Sequence, residues 1–159
     1  MRIEHPIEPF YDADSRILIL GSFPSVKSRE QGFFYGHPQN RFWKVLAAVF
    51  EDEIPESISR KQDFLRRHGV AVWDVIASCE IEGSADSSIR QAVPTDVRAI
   101  LAQTGLHRIY VNGRKAEQLY RNYQEKQTGI RAVCLPSTSP ANAAWKLPQL
   151  VEAWKTIRE

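Results

Sequence analysis

The sequence predicts a three-layer α/β/α sandwich around a central, mainly parallel four-stranded sheet, and three observations carry that prediction. Four short segments, 16–20, 70–75, 108–111 and 130–135, are rich in Ile, Val, Leu or Tyr, as expected of strands covered on both faces. Stretches with helical spacing lie between them, and parallel neighbours need such crossovers. The chain has 159 residues, enough to close one core and short for two domains, so residues 1–159 are expected to form a single domain.

Each element follows in order. The strand at 16–20 leads into a long loop, 21–39, after which Phe42, Val45, Leu46, Val49 and Phe50 form one helical stripe. Arg60, Lys61, Arg66, Arg67 and His68 read as the solvated face of another helix. The second strand, 70–75, opens a second long loop reaching to residue 93. Behind Thr95, a candidate cap, Val97, Ile100 and Leu101 make the next stripe. The third strand, 108–111, turns at Asn112 and Gly113 into a helix carrying Ala116, Leu119, Tyr120 and Tyr123. The fourth, 130–135, is followed by a loop at 136–142 and a last helix with Leu147, Leu150, Val151 and Trp154, Pro148 standing early in it as proline prefers. Trp43, Trp145 and Trp154 are expected to pack from helices.

Composition narrows the classes. Hydrophobic residues at 43% and charged residues at 25% exclude disordered, collagenous and coiled-coil chains. The longest apolar run, Ile17 to Leu20, is far too short to cross a membrane, and Met1-Arg2-Ile3-Glu4-His5-Pro6 lacks the apolar core of a secretory signal. A cytoplasmic monomer is expected. With only Cys79 and Cys134, no disulfide scaffold and no four-cysteine metal site can form. We expect no metal and no cofactor, so that catalysis runs on ordinary side chains. A net charge of +2 permits an anionic partner without requiring one.

In parallel α/β sheets the ligand site forms where the loops after the strands converge. Two of those loops far exceed the roughly 2 to 6 residues that a structural connection needs. The first holds Gly21-Ser22-Phe23-Pro24-Ser25 and then Tyr35-Gly36-His37-Pro38-Gln39-Asn40-Arg41-Phe42-Trp43. Glycine lets a backbone approach a ligand, and free N–H groups hold an anion or a carbonyl oxygen; the same residues would also serve as a turn beside an aromatic core. The last loop, Leu135-Pro136-Ser137-Thr138-Ser139-Pro140-Ala141-Asn142-Ala143, offers three hydroxyls suited to phosphate oxygens, or alternatively a helix start capped by Ser139 or Asn142.

Together these two stretches resemble the uracil-DNA glycosylase superfamily, which carries its active-site motifs after the first and last strands of a small α/β/α domain. The mismatch-specific branch has a Gly-x-Asn-Pro-Gly turn, matched here by 21–25, and an aromatic-His-Pro-x-Asn-Arg-Phe-Trp stretch, matched by 35–43. Phe23 stands where those relatives have a catalytic asparagine, and Leu135 where many have His or Asn. With Asn40 intact, these departures are similar to the hypoxanthine-DNA glycosylase branch. The resemblance implies hydrolysis of the N-glycosidic bond of a deaminated base in DNA, hypoxanthine first, uracil or xanthine next.

It also implies roles. Asn40 is the expected catalytic residue, holding the water or a heteroatom of the leaving base. Gly21, Ser22, Phe23, Tyr35 and Asp74 are expected to face the base, Tyr35 by stacking and Asp74 by accepting from N1–H. Ser25, His37, Ser137, Thr138, Ser139 and Asn142 are expected on the DNA backbone, with Arg114 and Lys115 nearby. Plain structural roles exist for several: a helix cap for Asn40, a core aromatic for Tyr35, a cap through Ser78 for Asp74. Two rival readings are a non-catalytic nucleic-acid-binding module, in which Phe23 marks a lost site, and a serine hydrolase using Ser137 or Ser139 with His107, for which the nucleophile elbow is missing.

Overall fold

The computed structural model describes residues 2–159, so that Met1 lies outside the described residues. The chain runs β1 (Arg2–Glu4), β2 (Ile17–Gly21), α1 (Val26–Gln31), α2 (Phe42–Val49), α3 (Ile58–His68), β3 (Val70–Asp74), β4 (Ile76–Glu80), β5 (Arg90–Pro94), α4 (Val97–Gln103), β6 (Arg108–Asn112), α5 (Arg114–Tyr123), α6 (Glu125–Thr128), β7 (Val133–Leu135) and α7 (Leu147–Trp154). The four expected strands are β2, β3, β6 and β7. They form one parallel sheet in the order β3-β2-β6-β7.

The side chains of β2 show why these runs become central strands. Ile17 and Ile19 enter the core beneath α2, α3 and α7, with Phe42, Leu46, Phe64 and Trp154. Leu18 and Leu20 enter the opposite core, with Val97, Ile100, Leu119 and Tyr120 from α4 and α5. Each fully buried Ile or Leu contributes about 1.5 to 3 kcal/mol, so slipping this strand by one residue exchanges its two faces. The last strand is shorter than expected: β7 starts at Val133, because the carbonyl of Ile130 is taken by the Tyr120 hydroxyl and its N–H by Thr128 Oγ1.

The segment 74–93 departs further from expectation. In place of a long loop, β4 pairs antiparallel with β1 on one side and β5 on the other, giving a second sheet in the order β1-β4-β5. Ile76, Cys79, Ile81 and Ile89 from this region fill the α4–α5 side of the core. Thr95 is not a cap either. Its hydroxyl donates to the carbonyls of Asp74 and Val75, and Asp96 is the residue preceding α4. Trp43 and Trp154 pack from helices as expected, whereas Trp145 lies before α7 and is exposed. No helix among the described residues is long and apolar enough to cross a membrane.

Candidate functional site

The carboxyl ends of β2, β3 and β6 and the loop after β7 enclose a cavity of about 330 Å³, a size typical of small-ligand sites. Every residue expected to act on the base or the DNA lines it except Asn142, Arg114 and Lys115. Asn142 turns its amide back to the carbonyl of Ser137 and borders a neighbouring groove of about 810 Å³ shared with Arg114, Lys115 and Trp145. His107 lies at the opposite end of the sheet, ahead of β6, and lines a separate cavity. The serine-hydrolase alternative therefore lacks its expected base, His107, near Ser137 or Ser139.

The cavity floor is Gly21, the last residue of β2. A β-carbon placed there would stand 2.4 Å from Asp74 Oδ1 and 3.0 Å from Tyr35 Oη, so only glycine admits both polar atoms. Asp74 ends β3, in register with Gly21. Its Oδ2 pairs with His5 Nε2 at 2.8 Å, both side chains being buried. The proposed capping of Asp74 through Ser78 does not occur; the Ser78 hydroxyl accepts from Arg2 instead. Tyr35 holds a left-handed backbone, φ 54°, a costly conformation for a bulky residue and one that concentrates at functional sites. Its ring stacks on Phe42 with centroids 3.9 Å apart. Its buried hydroxyl has no hydrogen-bond partner among the described residues. Burial first, then the Asp74 carboxylate, push that phenol well above its ordinary range, so Tyr35 is a neutral donor.

Asn40 sits at the entry to α2. Its Oδ1 accepts from Phe42 N–H at 2.9 Å and from the Thr138 hydroxyl at 2.8 Å. Thr138 is fully buried, and its Oγ1 accepts from Asn112 Nδ2 at 3.0 Å while its N–H donates to Asn112 Oδ1 at 3.1 Å. Two backbone N–H groups thus fix both amide orientations, since neither can accept. The relay runs Asn112 to Thr138 to Asn40 with one polarity. Both lone pairs of Asn40 Oδ1 are taken. Asn40 is not the helix cap, a position held by Arg41; its oxygen closes a turn one residue earlier, and the Nδ2 group left over is a hydrogen-bond donor at the cavity wall.

The remaining candidates have local partners. Ser25 caps α1 through Ser28 N–H, and Ser28 in turn accepts from Gly36 N–H. Ser137 and Ser139 accept from backbone N–H groups two residues on, and His37 Nδ1 accepts from Gln39 N–H. Phe23 is buried edge-on to His5, at 5.7 Å between ring centroids. Ser22 donates to Asp86 Oδ1 at 2.7 Å.

Four residues at this site were not legible as such in the sequence: His5, Arg41, Asp86 and Asn112. Arg41 donates to the carbonyls of Ser139, Asn142 and Trp145 and so holds the last loop. Asp86 sits on the short turn between β4 and β5; desolvation of its carboxylate pushes it above the usual range and Asp74 adds to the rise, while the Ser22 hydroxyl opposes it. A lone acidic residue in a polar stretch carries no local signal of such a role.

A family model described as the uracil DNA glycosylase superfamily matches residues 8–158. The chain belongs to the uracil DNA glycosylase superfamily. A hypoxanthine DNA glycosylase of Methanosarcina acetivorans is 33% identical over 136 residues, covering 82% of this chain and 83% of that protein. A second, from Methanosarcina barkeri, is 32% identical over 83 residues, 52% of each chain. The fold superposes with a TM-score of 0.81 on the solution NMR structure of a Methanosarcina acetivorans protein provisionally described as a uracil DNA glycosylase, at 27% identity over the whole of both chains. The superfamily fold is the α/β architecture described above.

Proposed function

We propose that this superfamily member is a monofunctional DNA glycosylase that releases a deaminated base, hypoxanthine foremost, from an extruded nucleotide. The observation that carries the reading is the polarised Asn112–Thr138–Asn40 relay, which presents a fixed amide N–H at the wall of a base-sized cavity. Bases inside a duplex are unreachable, so the target must turn out into such a pocket.

The chemistry divides among the walls. Attack by water forms the C1′–O bond as the C1′–N bond breaks and its electron pair leaves with the base. Negative charge grows on the base and positive charge on the sugar. Asn40 Nδ2 donates to a heteroatom of the departing base; a donor fixed before reaction is worth about 100- to 1000-fold in rate. Asn40 cannot accept a proton-bearing bond from water, because its oxygen is already doubly engaged. Asp86 is the carboxylate left to accept from the water and to face the sugar's charge, its other oxygen being held by Ser22. Tyr35 stacks on the base, with Phe42 behind it. The serine loop and the groove beside Arg114 and Lys115 take the DNA backbone.

The test is Asn40→Asp against Asn40→Ala. Aspartate keeps the Oδ1 acceptor for Phe42 N–H but has no donor. Both variants are expected to lose about 100- to 1000-fold in single-turnover release of hypoxanthine, with Asn40→Asp melting close to the parent. An Asn40→Asp variant with parental rate would remove the amide from the mechanism. A parent that binds inosine-containing duplex yet never releases base would favour the non-catalytic module.

A further inference from the structure

His5 lies outside both sequence motifs and does not itself line the cavity, yet it holds the Asp74 carboxylate that does. Its Nδ1 accepts the backbone N–H of Ile7 at 3.1 Å, which leaves Nε2 as the protonated nitrogen, donating to Asp74 Oδ2 at 2.8 Å. The ring has Phe23 on one edge and Phe34 close by. Its backbone is held by the second sheet, through His5 N–H to the carbonyl of Ala77 at 2.7 Å. Asp74 is anchored just as firmly by β3 and by the Thr95 hydroxyl on its carbonyl. With Oδ2 occupied, Oδ1 has no hydrogen bond among the described residues and faces the cavity over Gly21.

We propose that His5 is a positioning residue that makes this pocket read deamination itself, by fixing Asp74 so that a single immobile acceptor meets a ring nitrogen of the base. The inference rests on the glycosylase reading above. Adenine N1 and cytosine N3 carry lone pairs; deamination turns them into the N–H donors of hypoxanthine and uracil. Against a fixed carboxylate oxygen the deaminated base forms a charge-assisted hydrogen bond. The parent base would set lone pair against lone pair and leave Asp74 Oδ1 without a donor, which is how polar sites reject analogues lacking an N–H by about 10⁴ to 10⁵. A carboxylate free to turn would lose that distinction, so the discrimination lies in the His5 bond as much as in Asp74.

The experiment compares single-turnover release from two duplexes, one carrying deoxyinosine and one 2′-deoxynebularine, whose purine has an N1 lone pair and no 6-substituent. The parent is expected to prefer deoxyinosine by about 10⁴. His5→Leu should lower hypoxanthine release about 100-fold more than purine release, since about 1 Å of misplacement costs that much. His5→Gln, which puts an amide N–H where Nε2–H stands, should restore most of the preference. Asp74→Asn, which turns an acceptor into a donor, should reduce the preference further and serves as the readout if His5→Leu melts. An equal loss on both duplexes in His5→Leu, or an undiminished preference in Asp74→Asn, overturns the inference alone. A parent that releases no base from deoxyinosine overturns the glycosylase reading, and this inference with it.

Discussion

Adding one methyl group at Gly21 perturbs the site at its narrowest point. The new Cβ would lie 2.4 Å from Asp74 Oδ1, 3.0 Å from Tyr35 Oη and 3.7 Å from Asp74 Cγ. An ordinary carbon–oxygen contact is about 3.4 Å, so the carboxylate oxygen must retreat by about 1 Å. It has nowhere easy to go. Its partner oxygen is bonded to buried His5, and Asp74 is paired in register with Gly21 itself. The backbone at Gly21 lies outside the left-handed region, so alanine adopts it without strain and the whole cost comes from overpacking, about 1 to 3 kcal/mol. Misplacing a substrate-contacting group by about 1 Å costs about 100-fold in rate. Gly21→Ala is therefore expected to melt lower, to remain folded, and to release hypoxanthine about 100-fold more slowly under single-turnover conditions. Gly32→Ala is the control. Its φ of 79° makes alanine strained, but no atom lies within 4 Å of the added carbon, so stability should fall with the rate intact. A Gly21→Ala enzyme with the parental rate and preference would refute the placement of Asp74 at the base.

Two further outcomes follow from side chains around this site and away from it. Arg41→Lys keeps the charge but loses the fork that reaches three carbonyls of the last loop; losing one charge-assisted bond, about 1.5 kcal/mol, should weaken binding of duplex about tenfold, measured by fluorescence anisotropy, with a smaller effect on release from bound DNA. Asp52 is held below the usual carboxylate range by hydrogen bonds from His68, then Arg67, then Glu53 N–H. A depressed native value means stabilisation that is complete above the unfolded value of about 3.9 and lost as pH falls below it. Urea midpoints should therefore drop between about pH 4 and pH 2 more in the parent than in Asp52→Asn, and equal acid slopes would count against the pairing.

The parallel sheet was legible because β2, β3 and β6 are covered on both faces and declare themselves locally as apolar runs, whereas β7, at the edge with Val133 exposed, is shorter than its apolar run implied. The second sheet was not. Arg90-Gln91-Ala92-Val93-Pro94 has no apolar periodicity, and it becomes a strand because β4 lies beside it, with β1 on the far side of β4. The site divides in the same way. Gly21, Tyr35, Asn40 and the serine loop stand in compact motifs, whereas the bonds that give the cavity its chemistry join residues far apart in the chain: 69 positions for His5 and Asp74, 64 for Ser22 and Asp86, 98 for Asn40 and Thr138. Local spacing contains no trace of such pairs. At Asn40 the structural role and the proposed chemical one need not compete, because the bonds from Phe42 N–H and the Thr138 hydroxyl take the amide oxygen and leave the nitrogen.

The strand order then explains why the cavity is polar in one sense. In β3-β2-β6-β7 the residue at the end of β2 is a glycine, which leaves the centre open. On the β3 side stand acceptors, Asp74 at the strand end and Asp86 on the turn that the second sheet carries to the rim. On the β6 and β7 side stand amides and hydroxyls whose polarity is set by backbone N–H groups, ending in the Asn40 donor. Hypoxanthine has a donor at N1 and acceptors at N3 and N7, so a base entering between the two walls is matched in one orientation and opposed in the reverse. In the proposed reading the orientation of the base follows from the topology, because the acceptor wall depends on the turn between β4 and β5 and the donor wall on the loop that follows the last strand.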